Sequence, residues 1–357
     1  MKTPRPSLAL ILLLCVFCRT SSAWAVQNQE SDATQLAMKG FELSAAKART
    51  LEQKVSKNPN DITTRITLLG YYQGASFRSK EASTARQNHI LWLIRMRPEH
   101  PVLGTPFTHL DPHMDGTVYE TGKKAWLELL KHRPNEAALL GNAASYFLFF
   151  DRDLAEGYLK RAESADPHNS KWPRDLGQLY HLELSSKSGE AKVKAAKIAI
   201  EAYERSLKLM PKAERTLVLS DLGQASIDAG DNAKAKKYGD DMLRIAGDSS
   251  AGNWDTGNMI HHGHLTLGRV ALREGKLNVA KQHLRAAGDT PGSPQLDSFG
   301  PNMALAKELL EKGERKAVLD YFKQCARFWG PNREDLVTWA KEVQAGKIPD
   351  FGANLDY

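Results

Sequence analysis

Leu267-Gly268-Arg269-Val270-Ala271 is followed by Ala280, Leu284 and Ala287, so two small residues stand twelve apart and larger ones follow at the next turns. The same ladder recurs along the chain. Ala143 leads at that spacing to Ala155, then Leu159, Ala162 and Pro167. Gly223 leads to Ala235, Gly239, Met242 and Gly247, and Ala306 to Val318, Phe322, Cys325 and Gly330. Gly177 joins the series once ten residues around 187–196 are treated as an insertion, which brings Ala199, Tyr203, Ser206 and Pro211 into step. A small residue on each of two successive helices lets them approach closely. The larger residues one and two turns on then fill the space to the next pair, and Pro or Gly ends the second helix. The ladder therefore predicts helical hairpins in series.

Outside these segments the pattern stays helical. Apolar residues recur at three- and four-residue steps, and no stretch sustains the period-two alternation of a strand. Breaks fall at Asn58-Pro59-Asn60-Asp61, Arg97-Pro98-Glu99, Arg133-Pro134-Asn135, Asp166-Pro167-His168-Asn169 and Met210-Pro211. Successive prolines of this set lie 39, 36, 33 and 44 residues apart, the scale of a helical repeat. Leu176-Gly177-x-x-Tyr180 and Leu267-Gly268-x-x-Ala271 carry the opening of a known signature, in which Leu-Gly and Tyr precede Ala, a large residue and a terminal Pro. Over residues 136–330 the chain thus resembles the tetratricopeptide repeat family, with Gly239 where that family has a large residue.

The resemblance implies an all-α, right-handed solenoid of antiparallel helical hairpins with irregular loops. It also implies a concave groove, lined by the first helix of each hairpin, that takes up peptides or partner helices. Carried over residue by residue, the groove positions are Arg174, Gln178 and His181, then Gln224 and Asp228, then His262, Arg269 and Arg273, and last Lys307. Some members of the family clamp a peptide carboxylate with paired asparagines. Here Gln178, Gln224, Arg269 and Lys307 stand at the asparagine places, so that specificity does not carry over.

The N-terminal residues have a different character. Lys2 and Arg5 precede eleven apolar residues from Leu8 to Cys18, and Ala23-Trp24-Ala25 fits a small-x-small cleavage site. Eleven apolar residues are too few to span a bilayer, which takes about 18 or more. Residues 1–25 are therefore expected to be an export signal, and the mature chain to be periplasmic or secreted without a membrane span. Three of the 49 basic residues fall in that signal, so the mature chain keeps 46 against 42 acidic, a net charge of +4 instead of +7. So thin an excess does not suggest a nucleic-acid partner. One of the three cysteines, Cys325, remains, which excludes an internal disulfide.

The remaining boundaries follow from the loops. Residues 26–135 read as looser hairpins interrupted at 98–116, where Pro98, Pro101, Pro106 and Pro112 rule out a regular helix. Residues 136–330 form the repeat array, and 331–357 a capping helix and an extended tail. Further irregular stretches are expected at 247–258 and 288–302.

Several clusters invite a chemical reading. His261 and His264 lie three apart and would share a helix face, as two metal ligands do, although that face also carries the packing residues Gly268 and Ala271. His109, Asp111, His113 and Asp115 offer imidazole and carboxylate groups in a turn-rich segment read as a surface loop. Tyr146-Phe147-Leu148-Phe149-Phe150 is apolar all round, as in a helix buried on two sides. Cys325 occupies a small-residue position, and the lysines of 187–197 read as a solvated face. Neither a nucleophile elbow, a phosphate loop nor a paired-cysteine zinc motif is present. The expectation is an exported scaffold that binds a protein or peptide, one with acidic groups, through the groove and without a cofactor. The competing reading is a metal-dependent enzyme built from the irregular loops and His261/His264.

Overall fold

The computed structural model describes residues 25–248, 255–330 and 333–356, with side chains from Ser31 onward. The expected signal segment, Trp24 and Trp254 lie outside the described residues. Within them the chain is all helical, with no strand, and no helix is long and apolar enough to cross a membrane. The described residues divide into two compact units, with the boundary between Trp172 and Pro173.

In the first unit the helices are α1 (Ala25–Met38), α2 (Ala45–Lys57), α3 (Ile62–Ala75), α4 (Lys80–Met96), α5 (Pro112–His132), α6 (Ala137–Phe147) and α7 (Arg152–Ala165). Ser44, Asp61 and Ser79 start α2, α3 and α4 by accepting the N–H of Lys47, Thr64 and Ala82, groups the helix itself leaves unbonded. Where α1 and the turn after it meet α3, backbone touches backbone. A methyl group on Gly70 would collide with the Ala37 carbonyl, and one on Gly40 with that of Thr67. In the α6–α7 hairpin Ala143, Ala155 and Ala162 are fully buried, as the ladder requires.

Residues 98–116 depart from the expected surface loop. They form two short 3-10 turns, Pro101–Gly104 and Pro106–Thr108, and the run from Thr105 to Leu110 is buried. Its carbonyls are satisfied from distant helices. Arg86 of α4 donates to the Phe107 and His109 carbonyls, at 3.3 and 2.6 Å. Asn142 of α6 donates to those of Pro98 and His100, at 2.9 and 3.1 Å. Helix α5 begins five residues before Thr117, because Pro112 stands in its first turn, where no N–H is needed, and it kinks at Gly116 (φ 45°). The aromatic run is also less uniform than expected. Helix α6 ends at Phe147, Tyr146 stacks on Tyr119 with ring centres 5.1 Å apart, and Phe150 is exposed.

Helix α8 (Lys171–His181) carries the chain into the second unit. There follow α9 (Gly189–Leu209), α10 (Thr216–Asp228), α11 (Asn232–Gly247), α12 (Thr256–Arg273), α13 (Leu277–Gly288), α14 (Pro294–Phe299), α15 (Ala304–Glu311), α16 (Arg315–Cys325) and α17 (Arg333–Gln344). The insertion at 187–196 is absorbed by extra N-terminal turns of α9, which has 21 residues against 11 in α8. The ladder positions in the body of the second helices are buried, Ala199 and Tyr203, Ala235 and Met242, Ala280 and Leu284, Val318 and Phe322, while the terminating Pro211, Gly247 and Gly330 are exposed. On the first helices, a methyl group on Gly177 would come within 2.6 Å of the Tyr203 ring, and one on Gly223 within 2.9 Å of Thr266 Oγ1. Cys325 is fully buried and burial pushes its thiol pKa up, so it packs as a small hydrophobe.

Residues 288–302 are less irregular than expected. They contain the short α14 and sit on the first turn of α12: Thr290 Oγ1 donates to the Gly257 carbonyl (2.9 Å) and Ser293 Oγ to Asn258 Oδ1 (2.6 Å). After α17 the tail runs through Phe351, which is buried against Trp339 and Phe322, to a 3-10 turn at Gly352–Leu355.

Candidate functional site

The ladder positions turn Gly177, Gly223, Gly268 and Ala306 into buried contacts within the second unit, and polar residues occupy other positions of the same helices. These polar residues meet from one first helix to the next. His181 Nε2 of α8 lies 4.0 Å from Asp221 Oδ1 of α10, and Asp221 Oδ2 also accepts the Tyr203 hydroxyl at 2.9 Å. His262 of α12 is within electrostatic reach of Asp221, while burial lowers its pKa to about 4. Asp228 at the end of α10 pairs with Lys192 at 3.3 Å. Gln178, Gln224 and Lys307 are half-buried. The Nδ1 of His181 is buried and has no hydrogen-bond partner among the described residues.

Two arginines expected to face an acidic partner are engaged from within the chain. Arg269 donates to Glu308 Oε1 of α15 at 2.8 Å. Arg273 donates to the Ile227 carbonyl in the last turn of α10 at 2.7 Å, an oxygen that also accepts the Gly230 N–H. Arg174 likewise contacts its neighbour Asp175 at 3.1 Å. With Asp221, Asp228 and Glu308 beside the cations, this side of the unit carries both signs of charge. Asp221 and Glu308 were not picked out in the sequence, and Lys192, read there only as part of a solvated lysine face, is instead paired with Asp228. The signal for the first was available, because Asp221 precedes Gln224 and Asp228 by three and seven residues and so shares their face.

Asp356 lies within electrostatic reach of Lys192, Asp228, His181 and Lys307, and loss of solvation raises its carboxyl pKa.

The histidine cluster does other work. His261 is fully buried, its Nδ1–H donating to the Ala287 carbonyl (3.0 Å) and its Nε2 accepting the Asn302 N–H (3.1 Å). Both ring nitrogens are thereby used and the tautomer is fixed; burial lowers the pKa to about 3. His264 turns instead to His283 on α13, Nδ1 to Nδ1 at 3.0 Å. His261 and His264 therefore do not converge on a common point. In the first unit, His109 is buried with Nε2 3.2 Å from Ser145 Oγ, and His113 lies edge-on to Phe150. Asp111 and Asp115 are spent on capping: Asp111 accepts the His113 N–H and Asp115 the Asp111 N–H, at 2.7 and 2.8 Å. Among the described residues no group of three His, Cys, Asp or Glu side chains is placed to hold a metal ion.

No family model and no curated protein matches the chain.

Proposed function

We propose that this chain is an exported, tetratricopeptide-like scaffold that binds a protein or peptide segment along the polar side of its second unit. In this reading the hairpins stack into a right-handed solenoid, and Arg174, Gln178, His181, Gln224, Asp228, His262, Arg269, Arg273 and Lys307 mark the groove. One observation carries the reading. Polar groups of α8, α10, α12 and α15 meet from one first helix to the next, His181 with Asp221, Arg273 with the Ile227 carbonyl and Arg269 with Glu308, while the small residues of those helices are buried in packing. Half-buried amides at Gln178 and Gln224 offer donors and acceptors to an extended backbone, as recognition of a peptide main chain requires. The intramolecular pairing of Arg269 and Arg273 narrows the expected partner to one of mixed charge instead of a strongly acidic one.

The test is to pan a library of extended peptides against the mature chain and repeat the measurement with Gln178→Ala, Gln224→Ala and Lys307→Ala combined. Enriched peptides should lose at least tenfold in affinity on the triple variant, about 1.4 kcal/mol. Peptides that bind both proteins equally would place recognition elsewhere.

A further inference from the structure

The small residues that close the α12–α13 hairpin also bring two histidines together. His264 stands four residues before Gly268 on α12, and His283 three after Ala280 on α13. In an antiparallel pair, one turn back along the first helix and one turn forward along the second lead to the same place. The approach there is tight, since a methyl group on Gly268 would lie 3.1 Å from the His283 Cβ. The two Nδ1 atoms end 3.0 Å apart, with ring centres at 5.3 Å and ring planes at 41°. The imidazoles thus meet nitrogen to nitrogen instead of stacking. Both side chains are half-buried, and His264 borders an open depression of about 390 Å³ lined also by Leu243, Ala246, Ile260, Ala286 and Asp289, room for several waters.

We propose that His264 and His283 are the two protein ligands of a Cu²⁺ ion that bridges α12 and α13. Two facing nitrogens repel if both present lone pairs, so one Nδ1 carries the proton that the other accepts. That proton can pass through solvent to Nε2 of its own ring, which frees both lone pairs with no net loss of a proton. At metal–nitrogen lengths of about 2.0–2.1 Å, the 3.0 Å separation corresponds to an angle of about 95° at the ion. A tetrahedral ion needs its nitrogens about 3.3 Å apart. The narrower angle suits neighbouring corners of the square-planar or tetragonal site that Cu²⁺ prefers, and Cu²⁺ heads the affinity order of the first-row divalent ions. Because the rings meet end to end, each has to swing about its Cβ–Cγ bond, a soft torsion. Among the described residues no third His, Cys, Asp or Glu joins the pair, so water from the depression fills the other positions. Two protein ligands hold an ion less firmly than the three or four of an ordinary zinc site. A chain purified without added copper is therefore expected to carry none, and chelation alone leaves its stability unchanged. The site stands on the α12–α13 contacts and is independent of the groove reading.

The experiment titrates the full chain with Cu²⁺ in buffer containing glycine, which competes for ions held by single surface histidines. The wild type should take up one Cu²⁺ per chain, with an electron paramagnetic resonance spectrum showing two ring nitrogens. His264→Asn and His283→Asn each set an amide where Nδ1 stood, which keeps a hydrogen bond to the remaining ring but gives up the copper ligand. Each should bind at least tenfold more weakly, and the two together little more so, because either loss leaves a single nitrogen. His132→Asn, at an exposed histidine paired with Glu128, should bind as the wild type does. In the wild type, sub-stoichiometric Cu²⁺ should broaden the ring NMR signals of His264 and His283 and leave that of His132 sharp, a readout that needs no variant to fold. Equal affinity of the wild type and both asparagine variants, fewer than two nitrogens in the spectrum, or a His132 signal that broadens as early as that of His264 would overturn the proposal and leave the pair as a plain hydrogen bond.

Discussion

His261→Leu separates a structural histidine from a metal ligand. The imidazole is fully buried, stacked on Tyr321 and edge-on to Phe328, and its two hydrogen bonds join three elements. One goes to Ala287, next to the last residue of α13, whose carbonyl has no partner within its own helix; the other receives the Asn302 N–H ahead of α15. Leucine fills a similar volume but leaves the Ala287 carbonyl and the Asn302 N–H buried and unpaired, at about 1–3 kcal/mol each. The added apolar burial returns about 1–2 kcal/mol, so the net loss should be about 2–3 kcal/mol. Urea unfolding at pH 7 measures it as a lower midpoint at unchanged slope. The wild type should show the same midpoint with and without a chelator. A loss below about 1 kcal/mol, or a wild-type midpoint that chelation lowers to that of the variant, would refute the structural assignment.

Three further outcomes are expected. Burial holds His261 near a pKa of about 3 and His109 near about 4, both below the ordinary 6.5, so the folded chain keeps them neutral while the unfolded chain takes up protons. Stability should therefore fall as the pH drops from about 6.5 towards 4, by about 1.4 kcal/mol per pH unit and histidine, and a chain equally stable at pH 7 and pH 5 would contradict it. Gly70→Ala should cost about 1–3 kcal/mol by forcing α3 away from the Ala37 carbonyl. In the same helix Gly74→Ala, which meets nothing, should gain about 0.5–1 kcal/mol; similar thermal midpoints for the two variants would refute the close approach. Cys325→Ser should cost about 1–3 kcal/mol without altering peptide affinity, and a thiol dye that labels native Cys325 at the rate of a free peptide would show that it is not buried.

Much of the hairpin packing was legible because its rule is local. Small residues twelve apart and large ones at the next turns identify buried positions without knowledge of any other helix, and Ala143, Ala155, Ala280 and Val318 are all buried. The insertion was visible as a break in that count, though not that it would lengthen α9. Residues 98–116 were misread for the opposite reason. Prolines and turn formers look the same on a surface and in a core, and what keeps this segment inside is Arg86 and Asn142, whose partners lie 21 to 44 residues away. The charge expected along these first helices suffered similarly. Arg269 and Arg273 share a helix face with no acid on it, but Glu308 is supplied by α15 and the Ile227 carbonyl by α10. The two histidines three apart part company because the end of α13 claims one and a side chain within it the other.

The central claim is that the polar side of the second unit is where a partner lies. Site-specific photocrosslinking tests it most directly, with the reactive group placed in turn at Gln224, at Lys307 and at the outward-facing Lys316, whose side chain is 91% exposed. In cells that produce the chain, Gln224 and Lys307 should give the same discrete adduct and Lys316 none. Adducts of equal yield at all three positions, or at Lys316 alone, would contradict the account.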